Sequence, residues 1–492
     1  MMGAAINTGV FKEVQVNIPD IATKQLKLRT SNGSKRATLS SNWLMLFGFD
    51  GSKGVVEESL GKGKGVRVRL AEQGDTKIKK VYTRHYKERS ANPLNPIKGR
   101  KERLIEIASQ KLINESLGEN CCHVHIIFKH GAIFFLPIQE QQYLLLQKLD
   151  AKAKINTLVA MTGGVDCHVL EETGFRIDTA ITYRPQDARD KTDYTEMDSV
   201  STLINSAPRV LVNEDIYKLD TSKLAHLVGN TPLTVGHFSL TCEDFSLLKN
   251  NKAKDNALDN LSSTIDMFIP ALDIISVLKI PVIVIENVEG FASHPANDIL
   301  HLQLRRRGFT IHQGVYRSEL YGGKSTRKRM YLVATALDAP LSMPEPDPIS
   351  TVNIWDDIIL KYWDEIKERD VSDTKVITDA LSSGRARIIR EGKKLSPTLA
   401  RSQSQDPKDA VIVERDGRYY RLPVSVQKEI NSIPSSFNLD WAPIDKAAQI
   451  IGQSICCSLH KRIMESVRKH VVDAAKLLQS QFESSQFSLP LN

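Results

Sequence analysis

From Ile155 onward, short apolar runs alternate with stretches of helical periodicity. TLVAM is followed by a helix to Gly174, DTAITY by a helix through SVSTLIN, then come RVLVNED and LTVGHFSL, a helix through IDMFIPALDIISVL, and PVIVIENV. Apolar runs without polar alternation read as strands covered on both faces, and strands of that kind separated by helices predict a parallel sheet. Ligands of such sheets bind beyond the carboxyl ends of the strands. The informative residues are therefore those just after each run: Gly163 and Gly164 after the first, Glu214 and Asp215 after the third, Cys242 after the fourth, Glu286 and Asn287 after the fifth.

The N-terminal third has a different texture. LMLFGF, VVEES, GVRVRL, HVHIIF and AIFFLP are short apolar or alternating runs split by Gly-Ser-Lys, Gly-Lys-Gly and His-Gly turns, which predicts strands. RKERLIEIASQKLINESL has helical periodicity and predicts the main helix of this part. The expected organisation is an N-terminal arm over 1–34, a β-rich domain over 35–138, a helical linker over 139–154 and an α/β domain from 155. No internal repeat is visible, and low complexity is confined to the Ser/Gln-rich last dozen residues of the C-terminal tail, 476–492.

A chain of 492 residues, 41% hydrophobic, can bury cores for two or three domains. No apolar run approaches the ~20 residues of a membrane span, and the N-terminus lacks the basic-then-apolar pattern of a secretory signal, so a cytoplasmic protein without membrane partners is expected. The cysteines are Cys121, Cys122, Cys167, Cys242, Cys456 and Cys457, with no CxxC spacing; neither a metal site nor a disulfide framework is predicted.

Charge is unevenly spread. The formal net charge is +8, and residues 1–150 hold 24 Lys/Arg against 14 Asp/Glu. GKGKGVRVRL, KIKKVYTRHYKER and KGRKERL interleave these cations with Tyr82, His85 and Tyr86. Such a surface either tracks nucleic-acid phosphates or is a solvated basic face, and the residues leave both readings open.

In their order, the segments after the strands resemble the DNA (cytosine-5) methyltransferases, of bacterial or phage type with an extra N-terminal domain. TLVAMTGGVDCHVLEETGF stands where that family has its glycine-rich motif, NEDI where it has an aspartate, SLTCEDFS where it has the Pro-Cys loop, VIVIENVEGF where it has Glu-Asn-Val, YGGKSTRKRMYLVA where it has Arg-x-Arg, and IIGQSICCSL where it has the closing motif. The resemblance runs from about 155 to 470. It implies a Rossmann-like, mostly parallel α/β sheet of the class I methyltransferases over 155–338, a small target-recognition region over 339–430 and a C-terminal return over 431–475.

By the same resemblance the activity is methyl transfer from S-adenosyl-L-methionine to carbon 5 of cytosine in double-stranded DNA, with the target base flipped out of the duplex. Cys242 would be the nucleophile that adds to carbon 6, Glu286 the acid at the ring nitrogen, and Arg327 and Arg329 the catalytic arginines. Thr241 and Asn287 would contact or brace the substrate loop. Gly163, Gly164, Thr182, Tyr183, Asp215, Gly452, Gln453 and Ser454 would line the cofactor site. The implied partner is duplex DNA; a cognate restriction endonuclease and a solitary bacterial or phage enzyme both stay open, with the chain itself a monomer.

The sequence departs from the family at named places. AMTGGV replaces Phe-x-Gly-x-Gly-Gly, Thr182 and Tyr183 stand where an acid follows the second strand, Thr241 replaces the proline before the nucleophile, and Ser325 replaces a glutamine. These departures keep two alternatives open: the same fold acting on tRNA or a modified base, and a catalytically silent DNA-binding relative.

Overall fold

The computed structural model describes the chain except residues 1–2, 7–13, 32, 42, 86–100, 120, 139–141, 150–151, 187–191, 242–243, 246–250, 349–351, 405–409 and 487–492. It divides into two compact units, residues 1–140 and 141–492.

The first unit contains the same four elements twice. They are β1 (Ser34–Ser40), α1 (Trp43–Leu46), β2 (Val55–Ser59) and β3 (Val66–Leu70), then β4 (Lys101–Ile107), α2 (Gln110–Leu117), β5 (His123–Lys129) and β6 (Ala132–Pro137). The pairs β2–β3 and β5–β6 are antiparallel hairpins, while β1 pairs with β4 and β3 with β6, each across the repeat. The hairpin tips exchange places. Gly63 N donates to Glu115 O in α2 at 3.0 Å, and Gly131 N donates to Phe47 O just past α1 at 2.9 Å. Each hairpin therefore rests on the other segment's helix, and the interleaved halves share one core that includes Leu39, Phe47, Val68, Ile105, Phe128 and Phe135.

Three expectations are corrected here. An internal repeat exists, carried by strand pairing and buried positions rather than by matching residues. LMLFGF is not a strand: Trp43–Leu46 is a helical turn that drops Leu44, Phe47 and Phe49 into the core. The predicted helix over 100–117 is half strand, because Ile105 and Ile107 alternate inward against Leu39 and Ala37 before Ser109 caps α2 through Leu112 N.

The second unit is built on seven strands: β7 (Ile155–Ala160), β8 (Phe175–Ile181), β9 (Val210–Val212), β10 (Val235–Ser239), β11 (Val282–Asn287), β12 (Thr310–Arg317) and β13 (Lys328–Thr335). Their spatial order is β9-β8-β7-β10-β11-β13-β12. The first five run parallel, and β13 is antiparallel to both β11 and β12. Order reverses beside β7, so the carboxyl ends of β7 and β10 flank a switch point, where open α/β sheets place ligands.

Apolar residues on both strand faces dictate cover on both sides. Helices α3 (Val165–Glu172), α4 (Met197–Asn205), α5 (Thr221–Val228), α6 (Phe268–Leu278) and α7 (Pro295–Arg306) follow the strands in turn. One core packs Phe238, Ile283, Ile285 and Leu332 against α5, α6 and α7. The opposite core packs Val159, Val235, Val284 and Val333 against the long C-terminal helix, Cys457–Gln486, through Leu459, Ile463 and Val467. A third core joins residues 354–457 to Val165, Val169 and Met197. Among the described residues no helix is long and apolar enough to cross a membrane.

The expected helical linker is also corrected, since residues 142–149 form no helix. Tyr143 is drawn into the core against Phe309, at 4.6 Å between ring centroids, and the Gln147 side chain bonds Asn156 N, Thr234 Oγ1 and Lys154 O. Those tertiary contacts hold the segment extended.

Candidate active site

Strand β11 ends on Glu286 and Asn287, both buried, at the mouth of the sheet. Glu286 lies opposite Ser239 of β10 on one side and Tyr331 of β13 on the other. Its carboxylate Oε1 is 2.8 Å from Arg329 Nε, a charge-assisted pair. Asn287 ties the neighbouring loop in place: Nδ2 donates to Leu240 O at 3.2 Å and Oδ1 accepts from Val288 N at 2.7 Å.

Cys242 lies outside the described residues, and its flanks are anchored on both sides. Thr241 N donates to Met267 Sδ at 3.5 Å, a contact that proline could not make. Asp244 Oδ2 accepts from Thr264 N at 2.7 Å and Ser263 Oγ at 3.0 Å. Phe245 stacks edge-on against Phe291 at 4.8 Å, and a Cβ on Gly290 would come within 2.4 Å of Phe245 O, so only glycine fits there.

Arg327 and Arg329 act in different places. Arg327 is fully buried, and instead of facing outward its guanidinium donates to Leu399 O at 3.4 Å, to Gly452 O at 3.3 Å and to Ser454 O. It thereby clips the segment 395–404 and the end of α8 (Ile444–Gln453) to the head of β13. Thr326 N donates to Ser396 O and Ser396 N to Lys324 O, which places Ser325 in a bridge with Ser396. Gly452 is enforced by this packing, because a Cβ would meet Ala400 O at 2.3 Å. Gln453 is exposed, and Ser454 Oγ donates to Ile451 O at 2.8 Å.

At the tip of β7, Met161 occupies the first position of the glycine turn in the left-handed region, φ 63°. A bulky residue there is strained, and such strain concentrates at ligand-facing turns. Gly164 is left-handed too, φ 91°, and caps α3; a Cβ on it would press on Thr202 backbone at 3.0 Å. A Cβ on Gly163 would face Asp198 Oδ1 at 3.6 Å and Ile450 Cγ2 at 3.8 Å.

Thr182 is turned inward, its hydroxyl 2.7 Å from Ser199 Oγ, and Tyr183 is half-buried beside it. An acid, Asp198, does stand in the first turn of α4. Burial pushes Asp198 up to about 7 against the opposing pull of Arg184 and Arg401. Among the described residues no hydrogen bond to its carboxylate forms. Sequence reasoning did not single out Asp198 because sixteen residues separate it from the end of β8; the available signal was the TEMD stretch at a helix start. After β9, Asp215 Oδ1 accepts from Tyr217 N at 3.1 Å, and Asn213 Oδ1 is buried with no hydrogen-bond partner among the described residues. Among the described residues no cluster of His, Cys, Asp or Glu could hold a metal ion.

The sequence model of the C-5 cytosine-specific DNA methylases matches residues 210–469. No curated protein matches the sequence significantly. Among solved structures, the Entamoeba histolytica methyltransferase EhMeth aligns with 65% of this chain and 98% of its own at 15% identity, with a TM-score of 0.50. Schizosaccharomyces pombe Dnmt2 aligns with 64% of this chain and 98% of its own at 14% identity, TM-score 0.47. At such identities the EhMeth likeness bears on the fold alone. The match over the strand tips that carry Asp215, Glu286, Arg327 and Arg329 places this chain in the C-5 cytosine-specific DNA methylase family.

Proposed function

We propose that this protein transfers a methyl group to carbon 5 of cytosine in duplex DNA, with S-adenosylmethionine as the donor. The observation that carries the reading is the Glu286–Arg329 pair at the tip of β11, with Asn287 bonded to the strand end that leads into residue 242. In this reading the Cys242 thiolate adds to carbon 6 of the flipped base, and Glu286 delivers a proton to the ring nitrogen so that carbon 5 gains electron density. Once carbon 5 has taken the methyl group, a base removes the proton of carbon 5, the 5,6 double bond re-forms with departure of the Cys242 thiolate, and the ring nitrogen returns its proton to Glu286. Arg329 orients the Glu286 carboxyl, Asn287 and Thr241 hold the loop, and Arg327 fixes the floor beneath it.

The residues present fit the cofactor. Gly163 leaves open backbone beside the Asp198 carboxylate, and the buried orphan Asn213 Oδ1 is an acceptor of the kind an adenine amine satisfies. Gly163, Gly164, Asp198, Tyr183, Asp215, Gln453 and Ser454 are the residues that would hold it, and its chemistry there is to supply an electrophilic methyl group. Thr182, paired with Ser199, lends its backbone.

Duplex DNA is the proposed partner, read by the small region 339–430 and held by the basic first unit. Tritium transfer from labelled cofactor to duplex DNA tests the reading, with tRNA as the parallel substrate. Trapping on a 5-fluorocytosine duplex tests the nucleophile, and an equal adduct with Cys242→Ser would sink it. Deleting residues 1–140 should flatten the salt dependence of DNA binding.

A further inference from the structure

Behind Glu286 the sheet carries a line of buried ionisable groups that methyl transfer, as described above, does not use. On the face covered by the C-terminal helix, Val235, Val284 and Val333 fill the core as plain hydrophobes, yet His237 of β10 and His460 of that helix share the layer with no exposure at all. Their rings meet at 4.8 Å between centroids, inclined at 75°. His460 Nδ1 is 3.1 Å from Tyr331 Oη, and Tyr331 is the cross-strand neighbour of Glu286. In the other direction His237 Nδ1 lies 3.4 Å from Asp166 Oδ2. Asp166 accepts from the Thr162 hydroxyl, from Cys167 N at 3.0 Å and from Ser239 Oγ at 3.5 Å, and Thr162 Oγ1 in turn accepts from Gly164 N at 2.8 Å. The line therefore starts in the glycine turn and ends beside the acid.

Packing does not account for it. A buried carboxylate with two buried imidazoles is costly where valine serves on adjacent strands, and among the described residues neither nitrogen of His237 nor His460 Nε2 meets a hydrogen-bond partner. Burial and the neighbouring His237 hold His460 neutral, well below the ordinary histidine range, while His237 and the Thr162 hydroxyl hold Asp166 ionised against its own burial. Further charged or titratable groups face the line from every element packed on it. They are Arg329 from β13, Arg327 ahead of β13, Cys167 from α3, Cys456 and Cys457 at the head of the C-terminal helix, and Asp198 from α4.

We infer that Asp166, His237, His460 and Tyr331 are positioning residues that couple the glycine turn to Glu286. The line links two sites by contiguous contact, polar at Asp166 and at Tyr331 and ring against ring between His237 and His460, so a change at either end should be felt along it, and the coupling is reciprocal. The inference rests on the proposed role of Glu286 for its catalytic meaning, but its physical content can be tested without activity.

The test reads the His460 imidazole by nitrogen-15 NMR in the full-length protein, with the signals assigned through His460→Gln. Glu286→Gln from one end and Thr162→Val from the other should each shift those signals and leave the melting temperature within a few degrees. Unmoved His460 signals in either variant overturn the coupling. Tyr331→Phe deletes one oxygen and keeps the ring. In 5-fluorocytosine trapping it should move the alkaline limb of the rate profile by about one pH unit, the size of a single lost charge or hydrogen-bond partner, with KM for DNA unchanged. A wild-type profile in that variant overturns the inference as well. If the wild-type protein traps no base at all, the proposed function fails, while the NMR result still decides the coupling.

Discussion

Arg329 Nε stands 2.8 Å from Glu286 Oε1, and the two side chains are mostly buried at the mouth of the sheet. The pairing gives the acid at the tip of β11 a fixed orientation. Removing the arginine leaves a carboxylate with less compensation, whereas removing the acid leaves an arginine without its partner.

Replacing the acid should be decisive for chemistry. Glu286→Gln keeps shape and hydrogen bonding, so DNA binding should stay within a few-fold while methyl transfer falls by ~10²–10⁴, the usual contribution of a positioned acid. Arg329→Ala should lose nearly as much, and the double variant little more than either single one. Tritium incorporation under single-turnover conditions measures all three.

The brace is tested by Asn287→Ala. Loss of the bond to Leu240 O should cost ~1 kcal/mol of stability. Methyl transfer should drop further than that figure explains, because the loop carrying Cys242 loses its register. Urea denaturation alongside rate measurement separates the two effects.

Asp198 predicts a pH effect of defined sign. Its folded value of about 7 lies above its value in an unfolded chain, so the native state holds the extra proton. Stability from the neutral acid is complete below about pH 4 and is lost as pH rises through about 7, at up to ~1.4 kcal/mol per unit. Asp198→Asn should accordingly be more stable than the wild type at pH 8 and equal to it near pH 4. Denaturation midpoints at the two pH values check this; a gain confined to acid pH would contradict it.

Arg327 and Gly452 should behave as structural clips. Arg327→Met removes charge-assisted bonds to three backbone carbonyls, worth ~1.5–3 kcal/mol each, and should lower the melting temperature sharply. Gly452→Ala forces a carbon against Ala400 O and should expose the segment 395–404 to limited proteolysis. Both should lose activity together with structure, unlike Glu286→Gln.

Much of the second unit was legible in the chain. VIVIEN and TLVAM are apolar without alternation, and a strand that must be buried on both faces can sit only inside a sheet covered by helices. Residues following such strands lie at the carboxyl edge by necessity, which is why Gly163, Asp215, Glu286 and Asn287 could be named. The first unit was less legible. Its repeat consists of pairings such as Leu39 with Ile105, and a helix-like run such as 101–107 became a strand only because β1 was there to receive it.

Local sequence thus determined which segments of the second unit are buried strands and which residues follow them, because periodicity and burial act over a few residues. Partnership was decided only by the fold. Asp198 reaches Gly163 from a helix many residues away, Arg327 spends its charge on carbonyls of 399, 452 and 454, and His460 enters the sheet face from the last helix. Such contacts depend on where separate elements pack, and no periodicity along the chain records that.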